Sequence, residues 1–128
     1  MKLRLFFLLA TFTYVLASDI TIYYFHSSMR CITCKTVENN TKKVIDEHYT
    51  DLVKKGTLQL KIINIDDPKN EGLVEKYEVF GSTLILVKKD NNKEVKSINL
   101  TKEAFMNARN YSSFENMLTN QINTLMKN

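Results

Sequence analysis

Both cysteines of the chain stand in one short stretch, Met29-Arg30-Cys31-Ile32-Thr33-Cys34. Two thiols at that spacing support three kinds of chemistry. They can exchange disulfides, one thiolate attacking a disulfide sulfur and its neighbour resolving the mixed disulfide. They can hold a soft metal ion, since thiolates suit Cu(I) and Zn(II). They can also form a structural bridge. The stabilisation from a bridge grows with the loop it closes, and this loop holds only Ile32 and Thr33. A staple would therefore contribute little here, and redox work or metal binding suits the pair better.

The residues around the pair sharpen the choice. Cys31 is expected at or just before a helix N-terminus, where unpaired backbone N–H groups and the helix dipole favour thiolate. Arg30 and Lys35 add positive charge nearby. Cys31 is then the attacking thiol and Cys34, one turn in and more buried, the resolving one. His26 reads either as a pH-sensitive partner of Cys31 or as a strand-end histidine bonded to backbone. Met29 is expected to pack beside the cysteines and to show apolar surface to a partner. In the metal reading the ligand set is Cys31, Cys34, His26 and Met29.

The elements that must position these residues are legible in outline. Ile20 to Phe25 is a short β-branched and aromatic run, apolar on both faces, as a central buried strand would be. From Cys34 the pattern turns helical through Val37, Thr41, Val44, Ile45, His48 and Leu52, with His48 on the core-facing side, and Gly56 stops it. Leu58 to Ile65 reads as a second strand. Asp66-Asp67-Pro68 starts a short helix carrying Leu73, Val74 and Tyr77. Thr83 to Val87 and Lys93 to Leu100 form a hairpin through the Asp90-Asn91-Asn92 turn. Thr101 to Asn110 reads as a short helix. A last helix opens at Ser112 with a Ser-x-x-Glu capping pattern to Glu115. Its stripe is Phe114, Met117, Leu118, Ile122 and Leu125, with Met117 and Met126 as core residues. The order β-α-β-α-β-β-α predicts an α/β sandwich on a four-stranded mixed sheet, with a right-handed first crossover.

Residues 1–17 predict a secretory signal peptide: Lys2 and Arg4, an apolar run from Leu5 to Leu16, and Val15 and Ala17 at a processing site before Ser18. The run is shorter than the roughly 20 residues that span a bilayer, so the membrane enters only through this segment. Residues 18–128 then form one domain, with room for a single core. The formal charge is +4, and the leader holds two of those cations, which leaves +2 on the rest. Lysines and acids are interspersed without a basic block, so nucleic-acid binding is not expected. Export places the thiols where they tend to oxidise. It also predicts a bacterial periplasm or cell surface as the location.

A two-cysteine motif between the first buried strand and the first helix of this order resembles the thioredoxin-like superfamily. Asn64-Ile65-Asp66 resembles the end of that fold's next strand, and Tyr77 to Gly81 with Thr83 to Leu86 the run into the following one. The stretch from Tyr23 to Glu38 is similar to small exported bacterial proteins labelled nitrophenyl compound nitroreductase subunit. Nothing in the chain looks able to hold a flavin, and no cofactor is expected. The resemblance implies a thiol–disulfide oxidoreductase or electron relay with protein dithiol or disulfide partners. A membrane carrier of the disulfide-reductase type is the implied electron source.

Two departures from the family stand out. Thioredoxins place a cis-proline before the strand matching Thr83 to Val87, as part of a substrate loop. Here Gly81-Ser82-Thr83 occupies that place, and Pro68 is the single proline. Thioredoxins also carry a buried aspartate on the first strand, behind the cysteines, and Ile20 to Phe25 has no acid. Glu38, one turn after Cys34, could take over its proton relay, or be a solvated first-turn acid that favours the helix dipole. Met-x-Cys-x-x-Cys also resembles the loop of small copper chaperone domains, whose element order differs. Capture of soft metals or thiol-reactive ligands is thus the alternative function, and a non-catalytic exported subunit with a permanently closed disulfide is a third.

Overall fold

The computed structural model describes residues 18–127. The predicted signal peptide, residues 1–17, lies outside the described residues. Four strands and five helices follow in the order β1 (Ser18–His26), α1 (Ile32–His48), α2 (Thr50–Lys54), β2 (Leu58–Asn64), α3 (Glu71–Lys76), β3 (Thr83–Asp90), β4 (Lys93–Asn99), α4 (Thr101–Asn107) and α5 (Tyr111–Lys127). A single 3₁₀ turn at Pro68–Asn70 leads into α3. Among the described residues no helix is long and apolar enough to cross a membrane.

The strands form one mixed sheet in the order β2-β1-β3-β4. β1 runs parallel to β2 and antiparallel to β3, and β3 and β4 form an antiparallel hairpin. The hairpin turn places Asn91 and Asn92 at φ of 51° and 64°, the left-handed conformation that asparagine tolerates. β1 lies between two strands and is buried on both faces, as its uninterrupted apolar run predicts. Its residues alternate between two cores. Ile20, Ile22 and Tyr24 join Val37, Val44 and Ile45 of α1 and Phe114, Leu118, Ile122 and Leu125 of α5. Tyr23 and Phe25 face the other side, against Val79, Ile85, Val87 and the α3 residues Leu73 and Val74.

The structure moves several predicted boundaries and faces. α1 begins at Ile32, two residues earlier than the periodicity indicates, and ends at His48, with Tyr49 buried in the core beyond it. His48 is therefore not core-facing: it is exposed, with Nε2 3.2 Å from Glu115 Oε1. The segment after Tyr49 restarts as α2 and ends before Gly56, which takes a φ of 75°, a conformation glycine adopts without a Cβ penalty. α5 begins at Tyr111, one residue before the predicted Ser-x-x-Glu start. Asn110 Oδ1 accepts the Ser113 N–H at 3.1 Å and caps the helix in place of Ser112. Met117 packs against the core, whereas Met126 is exposed and Leu125 fills the buried position.

Candidate dithiol site

The sheet brings three segments to one end. Phe25, next to the last residue of β1, pairs with Ile63 of β2 on one side and with Thr83, the first residue of β3, on the other. The chain leaving β1 therefore emerges beside both the end of β2 and the Gly81-Ser82-Thr83 segment. Ser27 to Arg30 are pinned there. The Ser28 N–H donates to Asp66 Oδ2 at 2.7 Å, Asn64 Nδ2 donates to Ser28 Oγ at 3.3 Å, and Ser27 Oγ donates to the Met29 carbonyl at 2.6 Å. The two bonds from Ser28 hold the Asp66 carboxyl below its ordinary pKa, against a smaller desolvation effect.

Cys31 is the N-cap of α1. Its backbone is extended (φ −76°, ψ 162°), and its Sγ accepts the Cys34 N–H at 3.0 Å. This is the bond a capping serine or aspartate would make, made here by sulfur. Cys31 and Cys34 are joined as a disulfide with Cα atoms 5.0 Å apart. Cys31 is exposed and Cys34 partly covered, the asymmetry expected of an attacking and a resolving thiol. On reduction, the N–H that now points at Cys31 Sγ would stabilise its thiolate, together with the helix dipole.

Behind the pair lies a buried polar cluster. Glu38 belongs to the second turn of α1 and its side chain is only 8% exposed, so it is not a solvated first-turn acid. Arg30 Nη1 lies 3.0 Å from Glu38 Oε1, and Lys42 Nζ 3.1 Å from Oε2. The Arg30 contact is an ion pair, since Oε1 has no aligned hydrogen-bond donor among the described residues. Burial alone would raise the Glu38 pKa, but Lys42 and Arg30 outweigh it and hold the carboxyl below its ordinary value. The Arg30 charge is thus turned toward Glu38. His26 Nδ1 lies 2.9 Å from the Ser27 carbonyl oxygen and 3.1 Å from Arg30 Nε. A protonated Nδ1 donates to the first, and an unprotonated Nδ1 accepts from the second. His26 therefore has both a backbone and an arginine contact at the strand end.

Two groups escape the sequence reading. Tyr24 is buried on β1, and its hydroxyl donates to the Cys34 carbonyl at 2.7 Å. Burial raises the phenol's pKa, while a hydrogen bond from the Ser82 side chain opposes the rise. Phe80, just before the Gly81-Ser82-Thr83 segment, is 93% exposed. With Met29 at 90% and Ile32 at 87%, it leaves three large apolar side chains almost wholly in solvent on the segments that carry the dithiol and adjoin it. Met29 accordingly shows apolar surface but does not pack beside the cysteines.

Thr83 is buried and donates to the Gly81 carbonyl at 3.0 Å, which folds the segment back on itself. No cis peptide bond occurs among the described residues. Of the four alternative metal ligands, the structure joins Cys31 and Cys34 through their disulfide. His26 Nδ1 is engaged by Ser27 and Arg30, and Met29 stands in solvent.

No family model and no curated protein sequence matches the chain. Solved structures do. The germline-specific thioredoxin Deadhead of Drosophila melanogaster superposes with a TM-score of 0.50 at 21% identity, covering 84% of this chain and 81% of that one. A thioredoxin-like protein of Clostridium perfringens gives 0.47 at 15% identity over 78% and 75%. Trxlp of Edwardsiella tarda gives 0.43 at 20% identity over 62% and 69%. With the four-stranded mixed sheet and its helices, the Deadhead superposition establishes a thioredoxin-like fold.

Proposed function

We propose that the chain is an exported thiol–disulfide oxidoreductase or electron relay that works through Cys31 and Cys34. One observation carries the reading: the two sulfurs are within bonding reach at the N-terminus of a helix, with the outer one exposed on a thioredoxin-like frame. In the reduced chain, the Cys31 thiolate attacks a partner disulfide. A bond forms between Cys31 and one partner sulfur, and the other partner sulfur leaves as a thiolate. Cys34, deprotonated, then attacks Cys31 Sγ. The Cys31–Cys34 bond closes, the second partner sulfur leaves, and the partner has gained two electrons from the dithiol. Run backward, the same steps oxidise a partner dithiol.

Three features specify the site further. The apolar residues Met29, Ile32 and Phe80 suit a polypeptide partner, because exposed apolar surface of this kind marks interaction sites. Gly81, Ser82 and Thr83 would receive the partner's extended chain next to the dithiol. His26 is the group proposed to exchange protons with the thiols, ahead of Glu38. The two cations on Glu38 make it a better fixed charge than a base.

Export rests on the residue pattern of 1–17. An exported reductant draws electrons from inside the cell, so the proposed partner is a membrane dithiol carrier of the disulfide-reductase type. N-terminal sequencing of protein recovered outside the cytosol should begin at Ser18, and an intact Met1 on the exported protein would reject the leader.

A second reading, capture of a soft metal or thiol-reactive ligand by the dithiol, is favoured by the lack of a proline before β3. The deciding experiment is disulfide exchange with cysteine variants. Cys31→Ser should abolish reduction of a protein disulfide, and Cys34→Ser should accumulate mixed disulfides with partners. Full exchange by Cys31→Ser would reject the mechanism.

A further inference from the structure

The buried phenol behind Cys34 has no place in the two-cysteine mechanism as it stands. Tyr24 donates to the Cys34 carbonyl at 2.7 Å across ten residues of sequence, and it is 1% exposed. Cys34 lies in the first turn of α1, the least constrained part of any helix. The Cys34 N–H already points at Cys31 Sγ. Both backbone polar groups of Cys34 are thus fixed, one by the partner cysteine and one by the strand beneath. A phenol has one proton, and here it points at the Cys34 carbonyl.

We infer that Tyr24 is a positioning residue for the resolving half of the reaction: it fixes the Cys34 backbone so that the Cys34 sulfur stays within reach of Cys31. This rests on the dithiol-exchange reading above. The step concerned is the attack of the Cys34 thiolate on Cys31 Sγ in the mixed disulfide. The Cys31–Cys34 bond forms, the bond from Cys31 to the partner sulfur breaks, and the partner leaves as a thiolate. That step is intramolecular, and its rate depends on how well the attacking atom is placed. The first attack, by Cys31 on the partner, uses the cap sulfur and does not involve the Cys34 carbonyl. The Cys34 N–H still faces the Cys31 sulfur, so Tyr24 should weigh more on the resolving step than on the first attack, whereas a general role in packing would affect both alike.

The test mixes reduced protein, in excess, with dithiobis(nitrobenzoate), an aryl disulfide that releases a coloured thiolate at each step. The first release is bimolecular and reports Cys31. The second is unimolecular and reports Cys34. Tyr24→Phe keeps the ring and removes the hydroxyl. It should slow the second release roughly three- to tenfold, the effect of one hydrogen bond, with the first release slowed less. A second release at the wild-type rate in Tyr24→Phe, or equal slowing of both releases, would overturn the inference. A wild-type chain with no first release would overturn the redox reading, and this inference with it.

Discussion

At the residue scale, the site turns on one substitution of chemistry for structure. A helix N-cap is ordinarily an oxygen, and here it is Cys31 Sγ. The group that organises α1 is also the group proposed to react, so reduction would leave a thiolate where the helix already directs an N–H. Glu38 gives a testable pH dependence. Its carboxyl is buried, which alone would raise its pKa, but Lys42 and Arg30 more than offset this and the folded value lies below the ordinary one. A carboxyl depressed on folding stabilises the fold above its unfolded pKa, and that contribution is lost as pH falls through the folded value. Urea midpoints should therefore show Glu38→Gln less stable than the wild type at neutral pH, with the gap closing as the pH falls below the ordinary carboxylate range. A gap that is constant across that range would contradict the assignment. The cysteine pair was legible in the sequence because its spacing and the strand-to-helix order place it, and the 81–83 segment was singled out by the thioredoxin resemblance. Tyr24 was not. On a strand of consecutive apolar residues a tyrosine reads as core filling, and its partner is set by how α1 docks on the sheet. Phe80 was missed because an aromatic in a loop gives no periodic signal.

At the element scale, the order and type of the segments were readable from periodicity, and the faces were less so wherever a helix changes phase. His48 falls on the core side if α1 and α2 are read as one helix, since Val44 and Ile45 lie four and three residues before it. The helix stops there instead, and Tyr49 takes the buried place. In α5, both Leu125 and Met126 are one turn after Ile122, and only Leu125 is buried. Ser112 looks like a cap because of Glu115, yet Asn110 reaches the Ser113 N–H first. Asn110→Ala should therefore cost about 1 kcal/mol in thermal or urea unfolding, the usual effect of a lost N-cap. Ser112→Ala should stay within about 0.5 kcal/mol. The reverse ranking would restore the Ser-x-x-Glu start. Capping patterns name a residue type and a spacing, and two adjacent candidates are separated only by where the preceding turn ends.

At the scale of the whole molecule, the fold presents the reactive pair at the end of the sheet where β1, β2 and the start of β3 converge. That end carries three apolar side chains almost wholly in solvent, beside a loop pinned by Asp66. The other described residues form a sheet with a core on each face behind this end. An oxidoreductase of this build should have a dithiol that cycles under cellular conditions, and a structural bridge should not. The measurement that decides between them is the reduction potential of the Cys31–Cys34 pair in metal-free protein, from a glutathione or dithiothreitol titration read by mass. The account predicts a value between about −120 and −270 mV, the span of thioredoxin-family catalysts, with the negative end marking a reductant and the other an oxidant. A value well below about −300 mV, with thiols inert to alkylation, would contradict it and leave a closed structural disulfide on a binding subunit.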